Sequence, residues 1–225
     1  MAIEIRLAQT EEELEAIYRF RYEIYVEELG YELAYTDHAR KKIADPLDKT
    51  ARIIGAFEDG KVVGTIRLNY ARDSDMGNHT DLYSLHQAGE YHPCHTAVTE
   101  RLMVANRFRG GSLGIRLAEA AYKMAHSDRI EFCFIGCKSH LVEFFLSMGF
   151  RPHKKNVKHP GIGEVTLLVM VVSDLRHLEQ VRSPLAKICR EFPTSKEAVD
   201  FFKSDMMPRA LAAWRIWMDC CSTNP

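Results

Sequence analysis

The segment RFRGGSLGIRL, residues 107–117, decides the predicted fold, because it places three glycines and a serine between a predicted strand and a predicted helix. Before it, AVTERLMV (97–104) alternates in a way that is typical of a strand. After it, apolar residues recur at helical spacing from Leu113 to Met124. The first turn of a helix leaves backbone N–H groups without partners, and small residues let an anion approach them. The segment therefore predicts either an anion site or a plain turn that uses glycine for its geometry.

The rest of the chain predicts helices and strands in alternation. Thr10 and Glu13 form a capping-box pattern that starts a helix, and Gly30 ends its apolar periodicity. The other predicted elements are a hairpin of RIIGAF (52–57) and VVGTIRL (62–68), strands IEFCFIG (130–136) and EVTLLVMVVS (164–173), and a short helix within SHLVEFFLSMGF (139–150) that ends at Gly149. This order predicts the α+β class, with a mixed sheet and helices packed on it.

The last part of the chain carries helix signals only. Helix starts are marked by Ser183 before Pro184, by Thr194 with Glu197, and by Pro208. We therefore expect a core domain at residues 1–182 and a helical C-terminal extension at residues 183–225 that packs on or beside it.

The composition excludes several functions. The 225 residues carry 30 Lys and Arg against 31 Asp and Glu, so the overall charge favours neither nucleic acid nor an anionic membrane. No stretch is long and apolar enough to span a bilayer and the chain starts with a charged segment, so we expect a cytoplasmic protein. The six cysteines show no pairing pattern, which favours free thiols. No metal is predicted, because the spacing of His79, His86, His92, Cys94 and His95 matches no zinc site.

Several segments resemble known enzyme families. Arg109 to Gly114 resembles the Arg/Gln-x-x-Gly-x-Gly/Ala pyrophosphate loop of GNAT-type acyltransferases, with Ser112 in place of the central glycine. FFLSMGF (144–150) resembles the helix-to-Gly-Phe segment that closes the same fold. Four blocks resemble, in order, the signatures of autoinducer (acyl-homoserine lactone) synthases and of the related long-chain N-acyl amino acid synthases: RFRYEIYVEELGYEL (19–33), ADPLD (44–48), GKVVGTIRL (60–68) and TERLMV (99–104). The late segment 149–185 resembles the N-acyl amino acid synthases more closely.

This resemblance implies a GNAT fold, a fatty acyl donor on acyl carrier protein or coenzyme A, and an amine acceptor. It assigns the donor to Leu102, Val104, Arg109, Gly110, Gly111, Ser112, Leu113 and Gly114. It assigns the acceptor pocket to Arg21, Tyr25, Tyr31, Asp45, Asp48 and Arg67, and it matches Arg67 and Arg101 to the two strand arginines of the autoinducer synthases. We infer that one of the three arginines pairs with Asp45 or Asp48, and that another is free to hold an acceptor carboxylate. Structural ion pairing alone is the other interpretation.

Glu100 and its neighbour Arg101 are the predicted catalytic residues. Strand alternation places Glu100 among the apolar residues Val98, Leu102 and Val104, where burial is expected to raise its pKa toward neutrality and make it a general base. The resemblance does not carry this role over, because the autoinducer synthases have Glu at the position of Val98. We expect direct attack of a neutral amine on the thioester, with the oxyanion held by backbone N–H groups of residues 102–104. Phe145 stands where many GNAT enzymes have a Tyr that protonates the leaving thiolate.

A basic run, RPHKKNVKH (151–159), stands out in a chain of balanced charge. Such a run is often only a solvated face, but it also suits docking of the acidic acyl carrier protein or the phosphates of coenzyme A. The predicted docking patch is Arg151, Lys154, Lys155 and Lys158. The sequence thus predicts an N-acyltransferase that acylates an amino acid. Its alternatives are acyl-homoserine lactone synthesis, acylation of a peptide side-chain amine, and a sensor that binds acyl thioesters without turnover.

Overall fold

The computed structural model, which describes residues 2–208, is built on one seven-stranded mixed sheet and a small two-stranded ribbon. The strands are β1 Ile3–Leu7, β2 Thr36–Asp37, β3 Lys42–Ile43, β4 Arg52–Glu58, β5 Lys61–Tyr70, β6 Thr96–Val104, β7 Phe132–Cys137, β8 Arg151–His159 and β9 Gly163–Val171. The large sheet has the order β1-β4-β5-β6-β7-β9-β8, and only β6 and β7 run parallel. This is the predicted α+β architecture.

The α-helices are α1 Glu11–Tyr22, α2 Asn78–Leu82, α3 Leu113–Ser127, α4 Val142–Met148, α5 Leu175–Gln180, α6 Leu185–Cys189 and α7 Lys196–Phe201. The capping box of Thr10 and Glu13 starts α1 as predicted, and a π-helical stretch, Glu23–Glu28, extends it toward Gly30. Gly30 adopts a positive φ of 67°, which favours glycine after the end of a helix. α4 ends at Gly149, whose φ is 106°.

Two edge strands were absent from the sequence-based expectation. β1 is a short alternating segment, and β8 is the basic run, which forms the other edge of the sheet. Lysines are common on such edges because their charge discourages pairing with another chain. A further difference lies between residues 73 and 94, where no helix or strand was predicted and the structure has α2 and a buried Tyr83.

The sheet divides the molecule into two sides. On one side, α3 and α4 pack on the larger apolar core, and the side chains of Leu117, Phe145 and Leu185 are buried there. On the other side lie α1, α2 and the described end of the chain, where Phe202 and Met206 are buried against the sheet. The start of α7 is capped by Ser195, one residue after the expected Thr194.

The described chain ends within a helical stretch that includes residue 208, so a helix that starts at Pro208 lies outside the described residues. The division of the chain at 182/183 stays a prediction.

A β-bulge in β6 changes which residues share a face. Arg101 has a φ of 56°, and the register shifts so that Arg101 and Leu102 together face Ile66 on β5. Glu100 therefore lies on the α1 side of the sheet, whereas Leu102 and Val104 pack on the α3 side. The expected apolar face around Glu100 is wrong beyond this bulge.

β6 and β7 diverge at their C-terminal ends. Their parallel pairing joins residues 96–99 of β6 to residues 132–135 of β7, and among the described residues it does not continue further. Residues 100–104 of β6 thus face an opening in the sheet, and the glycine segment follows directly after this strand. The opening lies between β6 and β7, next to the glycine segment that leads into α3.

Candidate active site

Three arginines and three carboxylates form a buried cluster on the α1 side of the sheet. Its members are Arg21, Arg67, Arg101, Asp45, Asp48 and Glu100. Arg21 Nη1 lies 2.8 Å from Asp48 Oδ2. Arg67 Nη1 lies 2.7 Å from Asp45 Oδ1 and 3.0 Å from Asp48 Oδ1, and Arg67 Nη2 lies 2.5 Å from Glu100 Oε2. The expectation that an arginine pairs with Asp45 or Asp48 is confirmed.

A tight turn positions the two aspartates of this cluster. Asp45 caps the 3₁₀ helix Pro46–Lys49, where its side chain accepts from the Leu47 N–H, and the Asp48 carboxylate accepts from the Asp45 N–H at 2.8 Å. Arg101 donates to the outer oxygen of Asp45. Burial alone raises the pKa of Asp45, but the charges of Arg67 and Arg101 outweigh it and hold the pKa below its ordinary value.

The burial of the arginines decides which of them is accessible. The side chains of Arg21 and Arg67 are at most 1% exposed, so they hold the turn and the sheet together and do not reach an acceptor. Arg101 is 14% exposed, and its guanidinium lies 5.8 Å from the ring centre of Tyr25. Because one of its nitrogens already binds Asp45, Arg101 is only partly available to an acceptor carboxylate.

Glu100 lies at the rim of the cluster, with donors on both of its oxygens. Besides Arg67 on Oε2, its Oε1 accepts a hydrogen bond of 2.8 Å from the Tyr83 hydroxyl. His79 Nε2 lies 3.3 Å and His159 Nε2 lies 3.7 Å from the same oxygen. Burial favours the neutral acid, but His159, His79 and the charge of Arg67 together hold the pKa of Glu100 well below its ordinary value.

The expected raised pKa of Glu100 is therefore wrong. The expectation assumed apolar neighbours on one face, whereas the bulge at Arg101 places Leu102 and Val104 on the other face, and Glu100 contacts Arg67 and Tyr83. A carboxylate held as an anion by these donors is a poor proton acceptor at neutral pH. Its chemistry is to attract a cation and to orient the groups that touch it.

An aromatic rim with one further cation lies beside Glu100. The rings of Tyr25 and Tyr31 lie 6.1 Å apart, and the Lys138 ammonium lies 6.0 Å from the ring centre of Tyr31. Lys138 follows β7 on the same face as Gly136, where a Cβ would lie 3.2 Å from the Tyr83 hydroxyl. In the described part of the chain, the half-buried Lys138 forms no ion pair.

The glycine segment has the geometry of an anion site. α3 begins at Leu113 without a side-chain cap, Gly110 has a φ of 74°, and a Cβ at Gly114 would meet no atom within 4 Å. A shallow pocket beside it is lined by Arg107, Arg109 and Arg116 together with residues 111–113. Arg109 forms a two-point ion pair with Glu28, so its charge is shared with that carboxylate.

A narrow apolar cavity lies on the α3 side of the sheet. Its wall consists of Ile66, Leu68, Thr99, Leu102, Ala118, Ala121, Tyr122, Ala125, Cys133, Ile135, Phe145, Met148, Phe150, Met170, Val172 and Leu185. Leu102 is the residue after the bulge, so the cavity begins directly behind the part of β6 that faces the opening. Phe145, at the position of the expected leaving-group acid, is an apolar wall residue here.

The cysteines of the core are unsuited to nucleophilic catalysis. Cys133 and Cys137 are buried free thiols, and burial raises the pKa of each to about 11. Within residues 2–208, no group of three metal-binding side chains comes together, and no helix is long and apolar enough to cross a membrane.

The basic run differs from the expected docking patch in one member. Arg151 forms an ion pair with Asp174, and its guanidinium lies 4.8 Å from the ring centre of Phe202. It is largely buried and does not belong to a surface patch, because the first residue of β8 turns inward. Lys154 and Lys158 are exposed on this edge strand.

Sequence reasoning missed four side chains of the site: His79, Tyr83, Lys138 and His159. His79 and Tyr83 are one helical turn apart on α2, a spacing that places both on one face of a helix. The four-residue spacing of His79 and Tyr83 is visible in the sequence, but the many polar residues around it are more typical of a loop. His159 and Lys138 come from the ends of β8 and β7, and no local pattern brings these two residues together.

Similarity to solved structures identifies the fold. The chain is similar to FeeM, an N-acyl amino acid synthase from uncultured soil microbes, with 15% identity, a TM-score of 0.63, and coverage of 83% of this chain and 96% of the other. It is similar to the CoA-dependent acyl-homoserine lactone synthase BjaI, solved with SAM and isopentyl-CoA (17% identity, TM-score 0.62, coverage 84% and 98%). It is also similar to an acetyltransferase of the GNAT family from Staphylococcus aureus Mu50, with 15% identity, a TM-score of 0.53, and coverage of 76% of this chain and 99% of the other. The fold is the GNAT fold.

The sequence defines the family. The model of the N-acyl amino acid synthase FeeM family matches residues 16–172. The chain belongs to this family and is an acyltransferase. None of the curated proteins matches the chain in sequence.

Proposed function

We propose that the protein moves a long-chain fatty acyl group from a thioester of acyl carrier protein or coenzyme A to the primary amine of an amino acid. One observation carries this proposal: an apolar cavity on the α3 side and a charged site on the α1 side lie on either side of the opening between β6 and β7. A thioester in this opening would have its acyl chain on one side and its acceptor on the other.

The donor's phosphate group suits the N-terminus of α3. Uncapped N–H groups and the partial positive charge of a helix N-terminus attract a phosphate, and Gly114 leaves space for it. On the side of the opening, the backbone of residues 102–104 has no strand partner among residues 2–208, and it would hydrogen-bond the amide groups of the phosphopantetheine arm and hold the oxyanion.

The lining of the narrow cavity is consistent with an acyl chain as its occupant. Ala118, Ala121 and Ala125 lie on one face of α3, and their small side chains line the cavity between the helix and the sheet. They cover about 10 Å of the helix axis at 1.5 Å per residue. The wall is almost entirely apolar, as burial of a hydrocarbon chain requires.

The reaction proceeds by direct attack in this proposal. The amine nitrogen forms a bond to the thioester carbonyl carbon, the C–S bond breaks, and the thiol carries away one proton from the nitrogen. The raised pKa of Cys133 and Cys137 argues against an acyl-enzyme on either of them.

Lys138 supports an amino acid as the acceptor. A half-buried ammonium without a carboxylate partner among residues 2–208 is unusual, because burial of an unpaired charge is unfavourable. Lys138 lies on the same face of the sheet as Glu100. Glu100 would attract the ammonium group of the acceptor while Lys138 binds its carboxylate.

The first experiment measures thiol release from palmitoyl-acyl carrier protein and palmitoyl-coenzyme A, with pooled amino acids as acceptors and products identified by mass spectrometry. A product with the mass of an acylated amino acid is expected, and the faster donor identifies the carrier. Consumption of S-adenosylmethionine with lactone formation would overturn the amino acid assignment, and binding of both donors without thiol release would favour a sensor.

Lys138→Met tests the acceptor carboxylate. We expect the KM for the preferred amino acid to rise at least about tenfold, the cost of losing a charge-assisted hydrogen bond. The KM for the corresponding amine without the carboxylate should stay within about twofold. Lys61→Met, at an exposed position at the start of β5, is the control. An equal rise for both acceptors would contradict the assignment.

The exposed lysines of β8 are consistent with a carrier-protein donor. Lys154 and Lys158 stand on the solvent side of the edge strand, and with Lys155 they form the revised docking patch. A positive patch attracts and orients an acidic carrier protein.

A further inference from the structure

His159 lies beside Glu100 and is not among the residues assigned to donor or acceptor binding. It is the last residue of β8, its side chain is 18% exposed, and it lies on the face of the sheet that carries Glu100. Its cross-strand partner is Gly163, where a Cβ would lie 3.6 Å from the Lys138 ammonium. His159 thus lies among the groups proposed to bind the two charged ends of an amino acid.

The hydrogen bond at Nδ1 determines the tautomer of His159. Nδ1 lies 2.7 Å from the backbone oxygen of Pro160, which only accepts hydrogen bonds. The proton of the neutral ring is therefore on Nδ1, and Nε2 carries the lone pair. This lone pair is directed to the side of Glu100, whose Oε1 lies 3.7 Å from Nε2. An amine that forms an ion pair with Glu100 comes within reach of Nε2.

Two charged groups face the His159 ring. Glu100 Oε1 lies 3.7 Å from Nε2, and Arg67 and the Tyr83 hydroxyl hold this carboxylate in place. Lys138, directly after β7, carries the opposite charge, and the acceptor carboxylate that we assign to it would neutralise that charge. The ring therefore faces the negative charge of Glu100 and the positive charge of Lys138, and the carboxylate of the acceptor would neutralise the second.

His79, the other histidine at Glu100, is placed differently. Its ring stacks on Tyr83 with centroids 5.8 Å apart, and its Nε2 lies 3.3 Å from Glu100 Oε1. The stacking on Tyr83 holds this ring beside the carboxylate. His79 is accordingly a positioning residue that keeps Glu100 oriented.

We propose that His159 Nε2 accepts the proton that the acceptor's ammonium group must lose before it attacks the thioester. One proton passes from the ammonium to Nε2 and then to solvent, the free amine attacks, and the second proton leaves with the thiol. The inference rests on the proposed function, since it requires an amine acceptor. Glu100 binds and orients the ammonium but stays ionised throughout.

The experiment compares two acceptors in wild type and His159→Gln: the preferred amino acid, and aminooxyacetate, whose amino group is already uncharged at pH 7. For the amino acid we expect His159→Gln to lower kcat at least about 100-fold, the usual effect of removing a general base. For aminooxyacetate the loss should be less than about tenfold. The amino-acid rate of the variant should rise with pH toward the pKa of the free amine. His86→Gln, in an exposed loop, is the control.

The outcomes separate the two proposals. An equal loss for both acceptors, or a variant with the wild-type pH profile, would overturn the role of His159 and leave the acyltransferase proposal intact. A wild-type protein that acylates neither acceptor would overturn the proposed function and this inference with it.

Discussion

At the scale of single residues, Gly114 and Arg101 show how the backbone prepares the donor site. Gly114 has open space where a side chain would begin, next to N–H groups that no side chain caps. Arg101 accepts a left-handed φ of 56°, which is unfavourable for a residue with a Cβ and is found mostly where the surrounding structure enforces it. Its ion pair with Asp45 is one such constraint.

Gly114→Ala tests whether an anion approaches this backbone. Because the added methyl group meets no atom and alanine favours helices, the melting temperature should be unchanged or slightly higher. If a phosphate lies there, the KM for the donor should rise at least about tenfold. Steady-state kinetics in both substrates check this, with the acceptor KM as the internal control. An unchanged donor KM would remove the helix N-terminus from phosphate binding.

At the scale of elements, α3 would serve both halves of the donor in the proposed function. Its first turn faces the expected position of the phosphate, and the alanines further along the helix line the apolar cavity. A single helix therefore sets the distance between the carrier and the end of the acyl chain. β6 has the matching role on the sheet, because its bulge separates Glu100 from Leu102.

Ala121→Leu should shorten the acyl chain that the enzyme accepts. The three added carbon atoms enter the cavity, so the ratio of kcat/KM for palmitoyl over octanoyl donors should fall at least about tenfold. Thermal unfolding monitors the cost of overpacking, about 1–3 kcal/mol at most. Ala120→Leu, the neighbouring residue outside the cavity wall, is the control. A constant ratio would show that the chain lies elsewhere.

At the scale of the whole molecule, the sheet separates an apolar cavity on the α3 side from a charged cluster on the α1 side. Three carboxylates match three arginines in this cluster, so their formal charges balance although the groups are buried. Such a cluster depends on pH, because protonation of one carboxylate leaves a buried arginine without its partner.

The free energy of unfolding should fall in two steps as the pH decreases. Burial lowers the pKa of His153 to about 4, below the ordinary value of about 6.5, so the unfolded state binds the extra proton and stability is lost between these values. The lowered pKa values of Asp45 and Glu100 add a second loss of stability below about pH 4, because the pH then falls toward the pKa of each group in the folded state.

Urea unfolding from pH 4.5 to 7 checks the first step. His153→Gln should reduce the slope by up to about 1.4 kcal/mol per pH unit. If the unfolding free energies of wild type and variant fall in parallel from pH 7 to 4.5, His153 does not cause this loss of stability.

Local signals were sufficient for most of the fold. The capping box at Thr10, the glycine at 149 and the apolar strands predicted α1, α4 and the central sheet, because each signal acts over a few residues. β1 and β8 were not predicted, because the charged residues of these edge strands obscure the alternation of apolar and polar positions. The ion pairs of the Asp45 to Asp48 turn followed from residue types and the family resemblance.

The sequence by itself determined the class of protein and the pairing of arginines with Asp45 and Asp48, because these depend on family motifs and on charges that must be paired when buried. Only the tertiary structure decided the protonation of Glu100 and the presence of His159 and Lys138 beside it. A pKa depends on everything within a few ångströms, and one bulge at Arg101 changed those neighbours. Glu100 precedes the bulge of β6, Lys138 follows β7 and His159 ends β8, so only the packing of these strands brings the residues together, which no spacing along the chain reveals.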